Sequence, residues 1–235
     1  MKFSAEAIID KYPVNQMKPE DVYVVNDPYK GGTHINDITF MMPIFFNGKI
    51  IGFGVSRGHW MDLGGGAAGG QAMDGTHIAG EGLRLPPLKI FSQGEVNQDI
   101  LDIILNNTRT PHFVKGDLQA HVGCLKAADT ELRAAAERYG IDVLTVAMKQ
   151  LQEYTENIVR KGILDIPDGE YFAEEYADTD GHSSEPIPIK VRLVVEGSDI
   201  NIDFSETGPE VKGAINSPYA NTASAALYSL QFFLA

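Results

Sequence analysis

His34, Asp37 and His59 are the residues whose types and spacing could most directly do chemistry. Two imidazole nitrogens and a carboxylate oxygen suit Zn²⁺, Mn²⁺ or Fe²⁺ and leave coordination positions open for water or substrate. They lie at the far ends of two apolar runs, Ile38–Phe46 and Lys49–Ser56, which are joined by Asn47-Gly48. That dipeptide between apolar runs is the strongest short-range signal for a β-hairpin. In such a hairpin the start of one strand lies beside the end of the other, so His34 and Asp37 come next to His59. Gly31-Gly32 permits a tight backbone just before them. The competing reading makes both histidines turn residues that hydrogen-bond the loops.

Other motifs carry less. Gly54-Val-Ser56-Arg-Gly58 matches G-x-S-x-G, but a nucleophile elbow needs a helix directly after the serine. Here His59-Trp-Met-Asp-Leu and the glycine run Leu63–Gly70 follow, so Ser56 reads as a strand-end residue. The run itself is not a phosphate loop, because no glycine is followed by Lys-Ser or Lys-Thr; it reads as a structural loop over the site. Asp178-Thr-Asp180-Gly181-His182 lacks the glutamate that closes a calcium loop and reads as a solvated turn. Cys124 falls among apolar neighbours inside a predicted helix and reads as packing rather than as a nucleophile.

The elements that must position these residues follow from periodicity and punctuation. A helix is expected over Ser4–Tyr12 with Ser4 as its cap, a strand at Val22–Val25, and a helix at Asn97–Asn106. Asp117–Tyr139 carries Leu118, Val122, Leu125 and Leu132 on one stripe. After Gly140 a second long helix repeats Leu144, Ala147, Leu151, Tyr154 and Ile158, which predicts an αα-hairpin. Strands are expected at Glu170–Tyr176, Ile187–Glu196 and Asp199–Phe204, and a helix from Ser217 to Ala235. The chain stops on exposed-type apolar residues, so a fragment of a larger protein is expected.

Composition sets bounds. The 235 residues can bury a full core, and the net charge of -13 argues against nucleic acid or an anionic membrane as partner. A single cysteine fits a reducing compartment. The N-terminus lacks the pattern of a signal peptide and no apolar run reaches the roughly 20 residues of a membrane helix, so a cytoplasmic location is expected.

Several segments recur in a fixed order: NDPYKGGTHINDI, SRGHWMDLGG, EGLRLPPLKI, GDLQA with ELRAAAERYG, IPDGEY, and DFSETGPEVKGAINSPYANTASA. Together they resemble the hydantoinase B/oxoprolinase family from about Pro19 to the C-terminus. The resemblance implies a subunit, or half, of an ATP-dependent enzyme acting on cyclic amides or on ketones such as acetone and acetophenone. It implies a hydantoinase A-type partner in a hetero-oligomer, with ATP bound by that partner and not by this chain. The carboxylase branch implies a divalent metal on a His-x-x-Asp pair and a later histidine, which match His34, Asp37 and His59. In this setting Asp62 or Asp27 would orient a ligand imidazole. Arg84 or Arg57 would pair with an anionic group on the substrate, although Arg57 reads more simply as a surface ion pair. Asp62 and Arg84 are the expected catalytic residues.

The expected architecture is α+β: β-rich mixed sheets with an inserted long αα-hairpin, part of a larger hydantoinase B-type subunit. Residues 1–116 would hold the metal site, 117–162 the helical hairpin, and 163–235 a second β-rich region ending in a truncated helix. The expected activity is cyclic-amide hydrolysis. A ketone carboxylase subunit and a non-catalytic subunit pinned by its metal are the alternatives.

Overall fold

The computed structural model describes residues 1–234 except Gln71 and Met73. The chain forms two compact units: Met1–Thr145 with Ser217–Asn221, and Val146–Asn216 with the residues from Thr222 on. The sequence places divisions near residues 116 and 163, whereas this one falls inside a helix.

The first unit is built on a five-stranded antiparallel sheet. Its strands are β1 (Val22–Val25), β2 (Asp37–Phe46), β3 (Lys49–His59), β4 (Leu88–Ser92) and β5 (Glu95–Val96), in the spatial order β3-β2-β1-β4-β5. Side chains alternate between its two faces with the period of two that a strand imposes. Val22, Val24, Ile38, Phe40, Met42 and Ile90 join Trp60, Leu118 and Leu125 in one buried cluster. Tyr23, Val25 and Met41 join Ile8 and Met17 in a second cluster. Helix α1 (Lys2–Lys11) supplies Ile8, and α3 (Pro111–Tyr139) supplies Leu118 and Leu125. Burial of each large apolar side chain stabilises the fold by about 1.5–3 kcal/mol.

Helix α3 comes close to β3 because that strand shows it small residues. Added Cβ atoms at Gly52, Gly54 and Gly58 would meet Leu132, Leu125 and His121 at 2.9, 3.3 and 2.9 Å. These glycines and Ser56 are spaced by twos and so share one face. This packing explains the G-x-S-x-G match without a nucleophile elbow. The strand runs on through Ser56 to His59, with no helix after the serine.

Three differences from the expected boundaries bear on the site. Helix α3 begins at Pro111, six residues before Asp117, because proline's fixed φ and missing N–H suit a first helical position. Ser4 lies inside α1 instead of capping it, and its hydroxyl donates to Gly31 O at 2.6 Å. Strand β2 starts at Asp37 and β3 ends at His59, so two of the three candidate ligands belong to strands. Helix α2 (Gln98–Asn106) is capped by the Asn97 side chain on Ile100 N–H. Cys124 is exposed, not packed.

The second unit contains most of α4 (Ile141–Leu164), a three-stranded antiparallel sheet and most of α5 (Tyr219–Leu234). The sheet runs β6 (Gly169–Ala177), β7 (Ile187–Glu196), β8 (Asp199–Asp203) in that order. Leu151, Tyr154 and Ile158 of the apolar stripe on α4 are exposed. The Asp178–His182 segment is an exposed turn, as expected, except that Asp180 is turned inward. The Asp180 carboxylate is buried and accepts from the backbone N–H groups of His182, Ser183 and Gly213. Those hydrogen bonds to the charged form lower its pKa to about 2. No helix among the described residues is long and apolar enough to cross a membrane.

Candidate metal centre

The β2–β3 hairpin closes on a left-handed pair, Asn47 at φ 50° and Gly48 at φ 76°, as a type I′ turn requires. Beside the turn Phe46 faces Lys49 and Phe45 faces Ile50. The register then steps, Ile44 faces Gly52, and Asp37 faces His59 at the open end. Ile51 is the extra residue of this β-bulge. Without the step Asp37 would face Gly58, and His59 would lie beyond its reach on the opposite side of the pleat.

Asp37 stands between the two histidines. Its Oδ1 lies 2.8 Å from His59 Nδ1, and its Oδ2 lies 3.4 Å from His34 Nδ1. Oδ2 also accepts from the His34 backbone N–H at 3.1 Å and from the Thr33 hydroxyl. Burial by itself would raise the Asp37 carboxyl; the hydrogen bonds from Thr33, His59 and the His34 backbone, with the charge of His34, outweigh it and hold the pKa below the usual value. One ligand atom from each of His34, Asp37 and His59 can be chosen so that all lie within 4.8 Å of one another. The imidazoles are open to solvent, 75% exposed for His34 and 51% for His59, whereas the Asp37 side chain is 16% exposed. A largely shielded carboxylate, its pKa held low, between two accessible imidazoles fits a divalent cation with positions left over for exchangeable ligands.

The loop that carries His34 is fixed by buried amides that sequence reading did not single out. Asn26 is fully buried; its side chain donates to Ile35 O and Leu83 O and accepts from Leu85 N–H. Asn36 donates to Trp60 O at 2.7 Å, which ties the His34 loop to the residue after His59. A buried amide with every group satisfied specifies one backbone path, but Asn in a loop sequence looks like any turn residue. Glu81 also lies near this loop: burial raises its carboxyl, and the charge of the His34 imidazole partly offsets that rise.

Asp62 takes a different place from the one expected. Its carboxylate accepts from the Arg109 backbone N–H and guanidinium, both at 2.6 Å, and from the Thr108 hydroxyl. Among the described residues it has no hydrogen bond to His34 or His59. Burial would raise its pKa, and the hydrogen bonds from Arg109, Gly64 and Gly69 win and lower it. Arg109 also donates to Gly64 O, Gly65 O and Ala67 O, so the pair fixes the glycine-rich loop. Asp27 caps its own turn through Tyr29 N–H. Arg84 lies 3.9 Å from Asp27 and over the Tyr29 ring, and it lines a cleft of about 380 Å³ with Leu63, His77, Ile78 and Leu83. Arg57 is not the surface residue expected: it is half-buried, and its side chain makes three hydrogen bonds.

Ser56 faces away from this centre. It lies opposite Phe40, on the α3 side of the sheet, whereas Arg57 and His59 occupy the other side. Its hydroxyl pairs with His121 Nδ1 at 2.8 Å, and the His121 ring, 6% exposed, stacks on Phe40. Burial lowers the His121 pKa, with Asp117 partly opposing. The unfolded chain therefore takes up this proton near pH 6.5, before the folded chain does. His121 contributes its full stability above that pH and loses it as pH falls through the depressed folded value. Chemical denaturation at stepped pH below about 6.5 is expected to show a loss of stability that His121→Gln reduces.

With this geometry in place, the relatives of the chain can be compared. The hydantoinase B/oxoprolinase family model matches residues 1–235. The chain belongs to the hydantoinase B/oxoprolinase family. A protein of Pseudomonas sp. (strain NS671) described as the B-type subunit of a D-/L-hydantoinase is 34% identical over 88% of this chain and 36% of its own length. The beta subunit of the caprolactamase of Pseudomonas jessenii is 30% identical over 91% of this chain and 36% of its own. The acetophenone carboxylase delta subunit of Aromatoleum aromaticum is 26% identical over 93% of this chain and 32% of its own. The crystal structure of the ATP-dependent caprolactamase from Pseudomonas jessenii superposes with a TM-score of 0.92 at 27% identity, over 97% of this chain and 39% of that one. The chain thus spans about a third of the length of these relatives.

Proposed function

We propose that this family member serves an ATP-dependent cyclic-amide hydrolase, with a divalent metal held by His34, Asp37 and His59. The observation that carries the reading is the pair of accessible imidazoles set around one shielded carboxylate. A bound Zn²⁺, Mn²⁺ or Fe²⁺ there would supply Lewis-acid polarisation of a carbonyl or activation of water. Asp37 orients the His59 imidazole through the hydrogen bond at Nδ1 and holds the His34 backbone through its N–H. Arg84, at the edge of the neighbouring cleft, can pair with a carboxylate or phosphate on the substrate. Asp62 shapes the glycine-rich loop through Arg109.

An unstrained amide is inert, so activation by ATP on a hydantoinase A-type partner belongs to the reading. No Walker motif occurs in this chain. A cytoplasmic hetero-oligomer fits the single cysteine and the partner requirement. Amide hydrolysis is preferred over ketone carboxylation because the hydantoinase and caprolactamase relatives are more similar in sequence than the acetophenone carboxylase subunit.

The test is to co-purify the full chain with an A-type partner. ATP-dependent release of ring-opened product from hydantoin, 5-oxoproline and lactam is then assayed beside bicarbonate incorporation into ketones. The expected result is ring opening that requires ATP and disappears in His59→Ala. Ketone carboxylation without ring opening would place the chain on the carboxylase side. Ring opening that survives His59→Ala would leave the metal with a structural role.

A further inference from the structure

His34 is the one candidate ligand outside the β2–β3 ladder, so something must hold its loop at a fixed distance from that ladder. Gly31 is where the loop meets α1. It has a left-handed φ of 80°, and a Cβ there would lie 2.3 Å from Phe3 C. Ser4, fully buried, donates to Gly31 O at 2.6 Å. Arg57 Nη2 donates to Ser4 Oγ at 2.5 Å and to Gly31 O at 3.1 Å, and Nε donates to Thr39 Oγ1 at 2.7 Å. Thr39 and Arg57 face each other two residues in from Asp37 and His59, on the same side of the sheet. One planar guanidinium therefore joins the ladder that carries Asp37 and His59 to the loop that carries His34.

We propose that Arg57 is a positioning residue for the metal centre, setting the distance of His34 from the Asp37–His59 pair. The inference rests on the reading of those three residues as metal ligands. Two effects of Arg57 oppose each other. Its positive charge repels an incoming cation, while its rigid fork holds the loop. Lysine keeps the charge but cannot reproduce a fork with fixed donor directions, so the two effects separate experimentally. Residues that orient metal ligands typically alter affinity by about 10–100-fold when replaced.

Zn²⁺ affinity is measured by competition titration, and the Co²⁺ absorption spectrum recorded, for the full chain as wild type, Arg57→Met, Arg57→Lys and His59→Ala. Melting of the metal-free proteins is measured alongside. Positioning predicts at least about tenfold weaker Zn²⁺ binding in both arginine variants, with a changed Co²⁺ spectrum in the folded protein. Wild-type affinity and spectrum with only a lower melting temperature would overturn the proposal, as would tighter binding by Arg57→Met. If the arginine variants do not fold, Ser4→Ala replaces them. Weaker binding there supports the role, and unchanged binding removes it. A difference between wild type and His59→Ala keeps the metal reading intact even if Arg57 proves irrelevant. A folded wild type that binds no Zn²⁺ overturns both.

Discussion

Alanine at His59 is expected to abolish stoichiometric metal binding while leaving the fold intact. Complete four-ligand zinc sites bind with about 10–16 kcal/mol, so each protein ligand contributes about 3 kcal/mol. At 1.4 kcal/mol per tenfold, losing one ligand weakens binding by roughly a hundredfold. The fold should tolerate the change because the His59 side chain is half exposed and its partner Asp37 keeps hydrogen bonds from Thr33 and the His34 backbone. Substitutions at such exposed positions usually stay within about 0.5 kcal/mol. Elemental analysis after dialysis, with His34→Ala beside His59→Ala, reads the effect. About one equivalent in the wild type, lost in both variants, is the expected result. A well-folded wild type without metal would return both histidines to a hydrogen-bonding role.

The largest stability effect is expected from Asp62→Ala. The carboxylate is 2% exposed and is the shared acceptor for Arg109 and for backbone N–H groups of the glycine-rich loop. Removing the carboxylate leaves its buried backbone donors without an acceptor, at a cost of about 1–3 kcal/mol for each, while the half-exposed Arg109 guanidinium is left to water. For a chain of this size the sum is a fall in melting temperature of about 10 °C. Arg109→Met should cost less, since its side chain is 45% exposed and the Asp62 carboxylate keeps its backbone donors. Denaturation curves give both values, and proteolysis or hydrogen exchange across residues 63–70 localises the damage. If Asp62→Ala melted like the wild type, the loop would owe its conformation to contacts other than this pair.

The consequences separate two kinds of residue at one site. His34, Asp37 and His59 are held at the open end of a hairpin, where replacement is expected to change metal binding. Asp62, Arg109, Asn26 and Asn36 are packed around it, where replacement changes the backbone that presents them. From the sequence, Asp62 is expected to orient a ligand imidazole as a catalytic residue. A guanidinium from Arg109 occupies it instead.

Much of this protein was determined locally. Asn47-Gly48 dictated the hairpin because both residues tolerate positive φ. The near-continuous apolar run of β2 dictated two buried faces, and the spacing of Leu118 and Leu125 dictated the packed stripe of α3. The antiparallel path brought His34 and Asp37 to the same end of the hairpin as His59. The tertiary structure decided what depends on partners distant in sequence. The bulge at Ile51, which no turn residue announces, placed Asp37 directly opposite His59. The glycines of β3 acquired their meaning only from α3 packing against them, and Arg57 acquired its own only from Ser4 and Gly31. Periodicity specifies which face a side chain takes, because that follows from the backbone repeat of two or 3.6 residues. Which buried charge or amide it meets there is set by long-range contacts, and these exist only once the chain has folded.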